Sequence, residues 1–396
     1  MAGSTSTSRA ARPRPAHAGR GSRPQRTQRP KRARSWRLRA LLVGALVCVV
    51  AGGVAAANAA LHHRHSPSST TTTVPAGQSP STTALPAAAG TAADCPLTGT
   101  PAPGGVVPHR SALAFKIDNY PTARPQSGLT KADIVFEEPV EGGVTRFVAV
   151  YQCQSAGTVG PVRSARNIDI GILGQLGHPI LVHMGGITPV VENIQASPII
   201  DFELGDHTSI IDHVAGRVAP YSTYTSTTAV WHLEPTATTV PQPLFDYSSA
   251  VPSGAAVSPA TTVSIPFSGY SDVTWRYDAS THRYLRYYGT EAADTANGTQ
   301  QSAANVVVQF VSVYYGPWIE NTQGALEVQA NLYTDAGGDT LVFRDGVEVS
   351  GHWSRSTLGQ PTDFVTTSGT TIELQPGNTW VELVPTSVNV TTSAGS

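Results

Sequence analysis

The sequence predicts an α/β domain followed by a smaller, mainly antiparallel β domain, both exported behind a single transmembrane helix and a disordered linker. Three observations lead there. An uncharged stretch of membrane length runs from Ala40 to Leu61. Strand and helix patterns alternate between Leu113 and about Leu244, and beyond Val263 the chain is strand-rich with hairpin signals. A length of 396 residues suits about two domains.

The chain opens on a basic leader, residues 1–39, with twelve Lys or Arg and no acidic side chain. The remaining 357 residues carry 14 basic and 27 acidic side chains, so the net charge of −1 averages a cationic arm and an acidic body. Beside an apolar stretch such an arm suits anionic lipid, and no nucleic-acid partner is expected.

In a helix, residues 40–61 span about 33 Å, enough for a bilayer core. The Arg cluster in front keeps the N-terminus cytoplasmic and sends the body outside. We read an uncleaved signal-anchor, giving a single-pass protein of the cell membrane. Two alternatives stay open. Ala55-Ala56-Ala57 and Ala57-Asn58-Ala59 fit signal-peptide cleavage, which would make the protein secreted. A lipoprotein signal at Cys48 is opposed by Val47 and by the mid-span position of the cysteine. Residues 62–93, rich in Ser, Thr, Pro and Ala, cannot bury a core and read as an extended tether. His62, His63 and His65 within it read as incidental.

We place an α/β domain at 94–245, a linker at 246–262, a β-rich domain at 263–390 and a tail at 391–396. Residues 114–117 and 134–136 read as short strands. Residues 145–152 are apolar on both faces, as a central strand is. Residues 169–176 and 189–195 read as helices flanking a strand at 180–183. In the second domain Tyr284, Arg286 and Tyr288 alternate with Leu285 and Tyr287, as a strand with one wet face does. Asp345-Gly346 joins two apolar runs as a type I′ hairpin turn.

Three cysteines are too few for a disulfide scaffold, and no C-x-x-C occurs. Cys95 and Cys153, both exported, are a disulfide candidate. No G-x-S-x-G, H-E-x-x-H, Walker A loop or G-x-G-x-x-G is present. Asp206-His207 and Asp212-His213 match no metal-ligand spacing. We therefore assign no metal and no cofactor.

The chain is poor in charge, at 13% Asp, Glu, Lys and Arg, yet residues 116–146 concentrate it, and Arg163, Arg166 and Asp169 follow. From this band and its neighbours we take Lys116, Asp118, Asn119, Arg124, Gln126, Ser127, Glu138, Glu141, Arg146, Arg163, Ser164, Arg166 and His183 as ligand-binding candidates. Paired arginines grip a phosphate or carboxylate with planar donors, and carboxylates can hold a cation or act as an acid/base pair on a glycan. A buried salt-bridge network is the structural alternative. His183 ends a strand beside Gly185-Gly186, where α/β folds place their ligand crevice. Exposed aromatics of the second domain, among Trp275, Tyr277, Tyr284, Tyr287, Tyr288, Tyr314, Tyr315, Trp318, Trp353 and Trp380, can stack on sugars, or form its core.

The runs KIDNYPTARPQSGL (116–129), ADIVFEEPVEGGVTRF (132–147) and GPVRSARNIDI (160–170) resemble the YerB-like family. In the second domain YDASTHRYLR, NVVVQF, VFRDGVEVSGHW and LQPGNTWVELVP do too. These are bacterial cell-envelope proteins, often lipoprotein-like, of unassigned activity. The resemblance implies an α/β domain joined to a β-rich one, both outside the membrane, and supplies no reaction. Two departures stand out: no lipobox cysteine, and Arg217-Val218-Ala219-Pro220-Tyr221-Ser222 where the family tends to read Arg-x-Ala-Pro-His-Asn. The sequence thus leads to a membrane-tethered envelope protein that binds a wall-derived or anionic ligand, with a cell-wall polymer or an envelope protein as the expected partner. The alternatives are a hydrolase of glycan or phosphodiester bonds and a protein-interaction module whose charge cluster is structural.

Overall fold

The computed structural model describes residues 93–395; the basic leader, the membrane span and the tether up to residue 92 lie outside them. Among the described residues no helix is long and apolar enough to cross a membrane. All of them fall within one compact unit.

The strands are β1 (Leu113–Asp118), β2 (Ile134–Pro139), β3 (Thr145–Tyr151), β4 (Ile180–His183), β5 (Ile200–Glu203), β6 (Val257–Pro259), β7 (Thr262–Ser268), β8 (Ser271–Asp278) and β9 (Arg283–Tyr288). They continue with β10 (Asn305–Val311), β11 (Val313–Ile319), β12 (Leu326–Ala330), β13 (Ala336–Arg344), β14 (Val347–Arg355), β15 (Asp363–Thr366), β16 (Thr379–Pro385) and β17 (Thr391–Ser393). The α-helices are short: α1 (Ile168–Leu173), α2 (Thr188–Gln195) and α3 (Thr227–Leu233).

One 11-stranded sheet runs β15-β14-β13-β10-β16-β2-β3-β1-β4-β5, with β6 also pairing β14. It joins both halves of the chain, because β16 lies parallel between β10 and β2. The first half is accordingly more β-rich than an alternating α/β domain. β1, β2 and β3 are antiparallel neighbours, and β4-α2-β5 supplies the α/β character through a parallel pairing. Residues 246–262 carry β6, and residues 391–393 form β17 against β7, so neither the expected linker nor the expected tail is free chain.

The double-sided apolar pattern of β1–β3 follows from cover on both faces. On one face Ala114, Ile134, Phe136, Val148 and Val150 pack with Ile168, Ile172, Val190 and Ile194 of α1 and α2. On the other, Leu113, Phe115, Val135, Phe147 and Ala149 pack with Val263, Ile265, Val273, Trp275 and Tyr284 of a second antiparallel sheet built on β7, β8 and β9. Arg286 faces this core and is fully buried, so the Tyr284–Arg286 face of β9 is the inner one. Asp345 and Gly346 have φ of 52° and 76°, as a type I′ turn requires. A side chain at Gly346 would also meet the Tyr277 ring, its Cβ only 2.8 Å from Cε1.

Cys95 and Cys153 form a disulfide that pins the start of the described chain to the residues following β3. Its sequence separation of 58 residues closes a long loop, and such bonds stabilise by about 2–4 kcal/mol. Reduction is expected to lower the urea unfolding free energy by that amount without changing the fold. An unchanged midpoint under reducing conditions would contradict this.

Candidate functional site

Alternation along β1, β2 and β3 divides the charge band between the two faces of the main sheet. The helix-covered face collects Lys116, Asp118, Glu138 and Arg146 from the strands. The turn at Glu141–Gly143 adds Glu141; Gly142 and Gly143 take φ of 77° and 73°, which only glycine adopts cheaply. Arg163 and Arg166 arrive on the segment before α1, and Asp169 on α1 itself.

These groups pair with one another. Lys116 Nζ donates to Glu138 and, at 2.6 Å, to Asp169, and all three are fully buried. Arg166 makes a two-pronged contact with Glu141, its Nε at 2.9 Å from Oε2, and its other side meets Glu320 at 3.4 Å. Arg146 lies 3.5 Å from Glu141 and donates to the Ser164 carbonyl at 2.8 Å. Arg163 donates to Asp118 at 2.6 Å and is the open member, with its side chain 28% exposed. Four cations thus face five carboxylates. Burial of the Glu320 carboxyl pushes its pKa up, toward the neutral form. Burial pushes the Glu141 carboxyl up too, but the Arg166 hydrogen bond and Arg146 outweigh it and hold it down at about 2. Burial lowers Lys116 to about 8 and, with Arg166 nearby, Arg146 to about 10. Glu138 Oε2 and Arg146 Nε are buried without a hydrogen-bond partner.

The opposite face holds a second cluster. Glu137 accepts from Arg286 at 2.6 Å, Thr145 at 2.5 Å and Asn119 at 3.2 Å. Its cross-strand neighbour Glu382 accepts from Trp275 Nε1 at 2.8 Å. Asn119 Oδ1 gathers Tyr288 at 2.6 Å, Gln126 at 3.0 Å and Arg124 at 3.2 Å, and Arg124 stacks on the Tyr288 ring at 3.5 Å. One arginine cannot neutralise two adjacent buried carboxylates. Burial, then the neighbouring Glu137, raises the Glu382 pKa well above its usual range.

Two candidates and one motif stand apart. Ser127 pairs with Gly160 through its backbone. His183 is buried, its Nε2 at 2.5 Å from Asp201 and its Nδ1 at 2.9 Å from the Gly185 carbonyl. Arg217 donates to the carbonyls of Ala123 and Pro125, at 2.9 and 2.7 Å, and holds the segment that carries Arg124. Arg286, Glu320 and Glu382 are missing from the charge band picked out by sequence, and Glu137 and Asp169, which belong to that band, are missing from the ligand-binding candidates. A charged residue inside an apolar run, as Glu382 in Trp380–Val384, was the available signal. Of the aromatics, Trp275, Tyr284, Trp353 and Trp380 are core, while Tyr314 and Tyr315 are exposed on the β11–β12 ribbon. His207 stacks on Phe202, and among the described residues no group of three or more His, Cys, Asp or Glu is placed to hold a metal.

The family model described as "Protein of unknown function (DUF3048) N-terminal domain" matches residues 97–239, and its C-terminal counterpart matches 263–381. The chain belongs to the DUF3048 family. Within it, the chain is 28% identical over 308 residues to the Bacillus subtilis (strain 168) protein named "Putative lipoprotein YerB", across 73% of this chain and 86% of that one. The crystal structure of YerB protein from Bacillus subtilis superimposes with a TM-score of 0.63 at 25% identity, covering 76% of this chain and 99% of that one. Strands β1–β3 lie within the first DUF3048 segment, and β16 begins at the end of the second, with Glu382 just beyond it.

Two predictions follow from the burial. Lys116→Met leaves Glu138 and Asp169 buried without a cation and is expected to cost about 3–5 kcal/mol. Arg163→Ala opens a pair already in contact with solvent and costs about 1 kcal/mol or less. Urea denaturation of both variants measures the difference; equal losses would contradict the burial argument. The second prediction concerns pH. Because the folded-state pKa of Glu382 is raised, its proton binds the folded protein more tightly, and stability is lost as pH rises above the unfolded value of 4.5. Burial raises Asp133 to about 6, which adds a loss of the same sign at lower pH. As pH rises above 4.5 the wild type is therefore expected to lose stability relative to Glu382→Gln. Parallel profiles for the two would overturn the assignment.

Proposed function

We propose that this DUF3048 protein is a membrane-tethered, extracytoplasmic module of the cell envelope that works by binding, with the charge band as its internal frame. The observation that carries this reading is the closure of the band. Asp118, Glu138, Glu141 and Asp169 each already contact a cation of the chain, and Lys116, Arg146 and Arg166 are spent on those contacts. A bound anion would have to compete with Glu141 or Asp118 for the same guanidinium groups. The same closure argues against the hydrolase reading, since Glu138 and Asp169 share one buried ammonium instead of flanking an open cleft. The apolar stretch at 40–61 and the lipoprotein name of the Bacillus subtilis relative support a place at the membrane.

The test uses the full chain in detergent, applied to fractionated cell-wall material. Wild type and Arg163→Ala are expected to be retained equally. Retention lost in Arg163→Ala at unchanged melting temperature would make the band a ligand site and overturn the proposal, as would failure of the wild type to be retained.

A further inference from the structure

Three cavities away from the charge band adjoin one another. One of about 420 Å³ lies beside the Cys95 end of the disulfide, one of about 180 Å³ follows, and one of about 410 Å³ ends at the loop before β6. The first two share Pro243, Phe245 and Asp246, and the last two share Thr371 and Ile372. They therefore form one trough along residues 243–257. Its apolar lining includes Phe245 and Phe364, whose ring centroids lie 5.8 Å apart, and Ile372.

The charge around this trough is one-sided. Asp94, Asp246, Asp363 and Glu373 line it, all four are exposed, and none makes an ion pair among the described residues. Among the described residues the only cation lining it, Arg344, is fully buried and spent: its guanidinium meets Asp345 at 2.7 Å and the carbonyls of Glu373 and Ala250 at 3.1 and 2.9 Å. A trough of successive cavities with mixed polar and apolar lining and unpaired carboxylates along it complements an extended chain that carries apolar and cationic side chains in turn.

We propose that the trough binds an extended cationic peptide segment of a partner protein. The proposal rests on the binding role given above and names a partner class for it. It also replaces the anionic ligand expected from the sequence with one of opposite charge.

The probe is a fluorescein-labelled ten-residue peptide alternating Pro and Arg, read by anisotropy against the full chain in detergent, with a Pro-Glu peptide of equal length for comparison. The Pro-Arg peptide is expected to bind and the Pro-Glu peptide not. Asp246→Asn/Asp363→Asn/Glu373→Gln, all exposed positions, is expected to weaken binding about tenfold. The charge-matched Glu192→Gln/Asp272→Asn/Glu291→Gln leaves it unchanged. Equal weakening in both triple variants would show attraction to the acidic body alone and overturn the trough. So would no binding by the wild type: if wall retention persists, the trough alone falls, and if retention is also lost the binding role falls with it.

Discussion

Strand β2 lies between β3 and β16, and its parallel pairing with β16 brings Ile134–Glu137 against Thr379–Glu382 from the far end of the chain. Everything else depends on that pairing. It fuses the two DUF3048 segments into one sheet, over which the second sheet of β7, β8 and β9 gives β1–β3 a second buried face. Because β2 alternates, its last residues turn Glu137 toward the core beneath the second sheet and Glu138 toward α1. Each carboxylate then needs its own cation in an interior that water does not reach. Arg286 and Lys116 supply them from different directions.

Buried ion pairs are expensive to form and are weak evidence for stability as such. Their physical contribution here is geometric. Lys116 ties β1 to β2 and α1 through one ammonium. Arg166 ties the turn before β3 to the β11–β12 ribbon through Glu141 and Glu320. Arg286 reaches from β9 to β2 and lies over the Tyr288 and Trp380 rings at 4.4 and 5.1 Å, which offsets part of its desolvation. A one-residue slip of β2 would reverse Glu137 and Glu138 and strand both charges, so the two clusters select a single register.

The local pattern was readable from sequence wherever it depended on neighbours. The strands at 113–118, 145–151 and 180–183 and the helix at 188–195 follow directly from apolar periodicity, and Asp345-Gly346 from turn chemistry. Lys116, Glu138, Glu141, Arg146 and Arg166 drew attention because charge is scarce in this chain. Glu320, the partner of Arg166, and Arg286 and Glu382, which surround Glu137, did not, because they lie far along the sequence and only the tertiary fold brings them to the band. For the same reason residues 246–262 read as a linker: Pro and Gly mark a boundary locally, and nothing local reveals that β6 pairs β14. The trough escaped notice because its carboxylates are scattered singly over Asp94, Asp246, Asp363 and Glu373.

Native-state hydrogen exchange across β2, β10 and β16 tests most directly whether one sheet unites the two halves. If the pairing is as described, amides of β2, β3, β10 and β16 exchange only through a common global opening, with the same free energy and the same denaturant dependence. If the 263–395 half opens on its own while β1–β3 stay protected, the halves are independent domains, and the account of the polar clusters as a frame shared between them is wrong.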